Sequence, residues 1–89
     1  MGSTTVRVVF KLERGSLKVI VKRNGIEVCS NSLTEPGVMP LSDVERGDEI
    51  VLEGKSPLGG TLVMIGLPTH PPTPTYYQTG DILDRYTIL

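Results

Sequence analysis

Residues 47–67 read GDEIVLEGKSPLGGTLVMIGL, and this run limits the fold more than any other part of the chain. Over residues 49–53, Ile50 and Leu52 fall on one side and Glu49, Val51 and Glu53 on the other, the two-residue period of a strand with one buried and one wet face. Leu62, Val63, Met64 and Ile65 then follow one another with no polar break, which predicts a strand covered on both sides, centrally in a sheet or against a partner. Between them, residues 54–60 carry Gly54, Pro57, Gly59 and Gly60, the residues of a looped turn, so the two runs are expected to form a hairpin.

The same period appears before this run. Residues 4–12 alternate, with Val6, Val8, Phe10 and Leu12 on one face and Arg7, Val9 and Lys11 on the other. A turn over residues 13–16 leads to a second strand over residues 17–22, with Leu17, Val19 and Val21 inward, and these two strands are expected to pair as a hairpin. Asn24-Gly25 is the strongest turn signal, because a two-residue type I′ turn needs positive φ at both positions. It predicts a third strand over residues 26–31, with Ile26 and Val28 inward and Cys29 on the opposite face as a small apolar residue. Residues 38–41 form a short extended piece that Pro40 confines to a sheet edge. A single helical turn capped by Ser42, with Glu45 three residues on, is the expectation for the next segment.

Residues 68–75 hold four prolines, Pro68, Pro71, Pro72 and Pro74, and read as an extended polyproline-like arm. Beyond it Tyr76 re-enters a sheet, and residues 85–89 form a last strand. About seven short strands with turn signals every 8 to 12 residues give a single all-β domain over residues 1–89. A small antiparallel β-sandwich is the expected form and a barrel the alternative. The order GSLKVIVKRNGIEV, EPGVMPL and GDEIVLEG, at residues 15–28, 35–41 and 47–54, resembles transthyretin-like or PEGA-type modules over about half the chain. It implies an Ig-like or transthyretin-like sandwich and carries no functional residue across.

Composition narrows the function classes. The only aromatic residues are Phe10, Tyr76, Tyr77 and Tyr86, so the core is built from Val, Ile, Leu and Met. The longest strictly apolar run is residues 62–65, far short of the roughly 20 residues of a membrane helix. The lone Cys29 admits neither an internal disulfide nor a cysteine-based zinc site. Residues 1–5 lack an apolar signal core, which leaves the compartment open, since a removed signal peptide would leave no trace.

Charge is split along the chain: residues 1–23 carry six basic residues and one acid, and the remainder three basic residues and nine acids. With the first two strands paired, Arg7 and Lys11 would lie near Lys22 and Lys18, like charges across a ladder. A polyanion would neutralise them, but the small net charge and the lack of aromatic residues there argue against nucleic acid. Glu49 and Glu53, outward at matching spacing, supply the internal answer if their strand lies beside either basic strand.

No residue set announces catalysis or a cofactor. His70, the only histidine, sits among prolines without a nearby nucleophile or orienting acid in the sequence. Asp43, Glu45, Asp48 and Glu49 could offer oxygens to calcium but lack EF-hand spacing. Arg46-Gly47-Asp48 spells an adhesion tripeptide at the expected start of a strand, where chance accounts for it. The residues with binding character are Tyr76 and Tyr77, with His70, Pro71 and Pro74 beside them on the arm. The expected function is a non-enzymatic protein-interaction or structural module working through a sheet edge or the proline-rich arm. It would bind a protein partner or self-associate, the segment over residues 76–89 crossing to its own second sheet or to a neighbour in a homodimer. A small carbohydrate-binding or adhesion-type domain that takes a glycan is the alternative.

Overall fold

Asn24 and Gly25 have φ values of 55° and 78°, the paired positive angles of a type I′ turn, and they close the one tight hairpin of the described chain. The computed structural model describes residues 2–89. Its strands are β1 (Gly2–Phe10), β2 (Ser16–Arg23), β3 (Ile26–Leu33), β4 (Gly37–Val44), β5 (Glu49–Ser56), β6 (Thr61–Ile65), β7 (Thr69–His70), β8 (Thr75–Tyr77) and β9 (Gly80–Ile88). They form two antiparallel sheets, one ordered β4-β1-β6-β8 and the other β3-β2-β5-β9-β7. The architecture is an open β-sandwich and not a closed barrel. No helix crosses a membrane's thickness among the described residues.

One layer of side chains fills the space between the sheets. Val6, Val8 and Phe10 of β1 and Val63 and Ile65 of β6 meet Leu17, Val19 and Val21 of β2, Ile50 and Leu52 of β5, and Ile82, Tyr86 and Ile88 of β9. Within each strand the members are an even number of residues apart, so the opposite face of each strand points away from the core. Leu12 departs from its expected inward place and is 74% exposed. β1 ends at Phe10 and the chain bends over residues 11–13, which breaks the alternation.

Apart from β2 to β3, every consecutive pair of strands lies in different sheets. Two expected hairpins are therefore corrected: β1 does not pair with β2, nor β5 with β6. Their connections hold turn residues but are five residues long in the first case and four in the second, enough to arch across the sandwich. The β5–β6 arch is pinned by the buried hydroxyls of Ser56 and Thr61, which bond at 2.8 Å, and by Ser56 donating to the Tyr77 carbonyl.

β3 is also corrected, because Val21 pairs with Cys29 while Lys22 pairs with Glu27, leaving Val28 as the extra residue of a β-bulge. The insertion reverses side-chain parity, so Cys29 packs against the core and Val28 is exposed. Ile26, opposite Arg23 at the end of the sheet, is exposed as well. Pro40 does lie in an edge strand, β4, but the helical turn expected after Ser42 is absent. Strand continues to Val44 through a register shift against β1, with Asp43 at a φ of 57°.

The proline-rich segment is not an extended arm. Thr69 and His70 pair with Ile88 and Thr87 of β9, and Thr75–Tyr77 pairs with β6. Between these strands the His70–Pro71 and Thr73–Pro74 bonds are cis. Threonine side chains tie the turns down: Thr69 Oγ1 donates to the Pro71 carbonyl at 2.8 Å, and the Ile65 amide donates to Thr73 Oγ1 at 3.1 Å. The segment carries the chain from one sheet to the other, and β9 then seats between β5 and β7 of its own chain.

Candidate interaction surface

The register of the four-stranded sheet decides what its outer face presents. Arg7 stands between Val38 of β4 and Met64 of β6, Val9 pairs with Leu62, and Leu62 with Tyr76 of β8. Pro40 pairs with Thr5 in the next row. These residues alternate with the buried Val6, Val8, Met39 and Val63 and so point outward. Val38 is 50% exposed, Tyr76 is 51% exposed, and Val9, Leu62 and Met64 are half-buried. Leu12 extends the surface at one end, its side chain close against Gly59, whose carbonyl accepts the Tyr76 hydroxyl at 2.9 Å. At the other end Ser3, Thr4, Thr5, Pro40, Leu41 and Ser42 line a shallow depression of about 340 Å³. Arg7 is the only charged side chain in these rows.

The outer face of the five-stranded sheet has the opposite character. Lys18 stands opposite Glu53, and Lys22 opposite both Glu49 and Glu27, the Lys–Glu ladder expected for this strand if the acids lay beside it, although none of these pairs closes to a salt bridge. Arg7 belongs to the other sheet, so the expected basic cluster with Lys18 and Lys22 does not form. Between the charged rows Ile20 pairs with Val51, and both are buried although they point outward. Glu49 makes a further bridge to Arg85 at 3.4 Å.

The two adjacent tyrosines part company. Tyr76 faces outward on the apolar sheet, while Tyr77 turns toward the core, where its hydroxyl meets Asp84 Oδ2 at 2.9 Å and the Tyr86 hydroxyl. A carboxylate only accepts, so Tyr77 donates to Asp84 and accepts from Tyr86. Burial raises the Tyr77 pKa above the ordinary phenol value, and the bonds to Tyr86 and Asp84 push it further up, so the group stays neutral. This chain of hydroxyls ties β8 to β9 across the open end of the sandwich and offers no phenolate nucleophile. His70, Pro71 and Pro74 are exposed, and His70 lies on β7 in the other sheet from Tyr76. The five residues picked from the sequence thus do not form one site; Tyr76 alone joins the apolar rows.

The acidic loop is occupied by arginines. Asp48, 2% exposed, accepts from Arg23 Nε at 2.9 Å and Nη2 at 2.8 Å and from the Glu45 amide at 2.9 Å. Glu45 bridges the same Arg23 at 2.8 Å. The carboxylates that calcium would need are therefore largely spent on guanidinium groups, and among the described residues no acidic cluster has metal-binding geometry. Asp48 of the adhesion tripeptide is equally engaged and buried.

Comparison with protein-family models, curated proteins and solved structures finds no match. The functional reading of this chain accordingly rests on its own surface. Of that surface, the apolar run in β6 was visible in the sequence as a strand wanting cover on both sides. The flanking rows were not, because β1, β4 and β8 reach β6 only through pairings between distant segments.

Proposed function

We propose that this chain is a non-enzymatic protein-binding module whose working surface is the outer face of the β4-β1-β6-β8 sheet. The observation that carries the reading is the run of Val9, Val38, Leu62, Met64 and Tyr76 across four strands, partly open to solvent and interrupted by one charge. Antiparallel sheets with a wet face ordinarily alternate polar residues there. Contiguous exposed apolar surface on a small domain marks a contact surface, and Met64 adds a side chain that adapts to varied partners.

A glycan-binding role has less support from the same residues. Sugar recognition combines stacking rings with hydrogen-bonding groups, whereas these rows hold one aromatic residue, Tyr76, and no Asn, Gln, Asp, Glu or His. The test is a random peptide library displayed on phage and selected on the intact protein, with binders mapped by amide chemical shifts. Shifts centred on Val9, Val38, Leu62 and Met64 are expected. Binding should be lost in a Val38→Thr, Met64→Gln variant whose circular dichroism spectrum matches the wild type. Binders that map instead to β3 or to residues 68–74 would move the working surface to a sheet edge or the proline-rich segment.

A further inference from the structure

Resting on that reading, we propose that the partner is an apolar peptide segment that sets a carboxylate against Arg7, and not a second copy of this chain stacked on the same face. Arg7 lies in the middle of the apolar rows, between Val38 and Met64 across the strands and between Thr5 and Val9 along its own. The ion pairs among the described residues engage Arg14, Arg23, Lys55 and Arg85. Arg7 takes part in none of them. No acid stands in the rows around it, whose outward positions are Thr5 and Val9 on β1, Val38 and Pro40 on β4, and Leu62 and Met64 on β6; the exposed acid of β4, Asp43, lies beyond these rows at the register shift, its carbonyl bound by Arg23 of the other sheet.

The physical consequence follows from desolvation. An apolar partner that closes over these rows takes the guanidinium out of water, and a buried charge without a counter-charge is strongly unfavourable. A carboxylate removes the penalty and meets the planar fork with two parallel hydrogen bonds, which fixes the register of the contact as well as its strength. Stacking these rows of two copies on one another does the reverse, because each set of rows contributes an arginine and no acid.

The experiment runs the displayed-peptide selection in parallel on the intact wild-type chain, on Arg7→Glu and on Arg7→Gln. Arg7 is exposed and makes no ion pair, so the folds of both variants should be unchanged by circular dichroism; the glutamine variant covers the case in which the reversed charge disturbs the sheet. Wild-type binders mapping to the face should carry Asp or Glu within an apolar stretch. They should bind Arg7→Gln at least about tenfold more weakly, the scale of a lost hydrogen bond to a charged group. Arg7→Glu should select Lys- or Arg-bearing peptides instead. Binders that map to the face with no acidic preference, or whose preference ignores the Arg7 charge, overturn the carboxylate assignment while leaving the protein-binding reading intact. Binders that never map to the face overturn both. Light scattering supplies the remaining arm: a dimer that forms with concentration and is lost on Leu62→Glu would make a second copy the occupant and overturn the inference.

Discussion

The carboxylate of Asp48 joins the end of β2 to the loop before β5, accepting two bonds from Arg23 and one from the Glu45 amide. The Arg23 bonds are the main cause that holds its pKa below the ordinary carboxylate value, against the opposing effect of burial. In the unfolded chain the group titrates near about 3.9. Between the folded value and that one, the unfolded chain binds the proton and the folded chain does not, so stability rises with pH in that window. The contribution is complete above about pH 5, beyond the unfolded titration, and lost as pH falls through the lowered folded pKa. Denaturation midpoints at pH 7, 5, 4 and 3 should drop steeply only at the acid end, and Asp48→Asn should start lower at pH 7 and fall less. Parallel acid profiles would show that the clasp adds nothing. Tyr86→Phe removes the donor to Tyr77 and should cost about 1 kcal/mol in urea denaturation, the net worth of one hydrogen bond. Neither interaction was legible in the chain, since Arg23 and Asp48 are 25 residues apart and Tyr77 and Tyr86 are adjacent only once β8 and β9 face each other across two sheets.

Strands, by contrast, could be read from alternation, and their partners only where the turn left no choice. Asn24-Gly25 permits a two-residue loop and nothing else, so β2 pairs with β3 as expected. Replacing both by alanine places two side chains at positive φ and should destabilise the fold by about 1–2 kcal/mol in chemical denaturation. The connections after β1 and β5 contain the same kinds of residue at greater length, and length allows either a hairpin or an arch. What decided for the arch was burial: β6 and β1 complete one apolar layer, β5 and β2 the other. The bulge at Val28 was equally hidden, because one inserted residue changes which side chain faces the core without altering the composition of the strand. The Lys–Glu pairing of β2 with β5 was legible from charge spacing alone. Glu49→Lys with Glu53→Lys should therefore lower stability, and more so at low ionic strength, when thermal midpoints are compared in dilute and molar salt. A salt-independent loss would show that charge pairing is not the cause.

At the scale of the molecule, each sheet is stitched from segments far apart in the chain: Val6 pairs with Ile65, and Ile50 with both Val21 and Tyr86. Long-range antiparallel pairing predicts a single cooperative transition and folding in milliseconds to seconds. Far-ultraviolet circular dichroism and tyrosine fluorescence should report the same midpoint, because Tyr77 and Tyr86 sit at the seam where β8 of one sheet meets β9 of the other. Separate midpoints would mean that one sheet survives without its mate. The alternation of successive strands between the sheets also bears on how the protein is made. A ribosome delivers β1 long before the β4 and β6 that flank it, and β5 before β9, so until β4 emerges the nascent chain holds only the β2–β3 hairpin as a paired unit. Until residues 80–88 have been synthesised the larger sheet lacks an inner strand, and the emerging chain has to be kept from pairing with its neighbours on the same message.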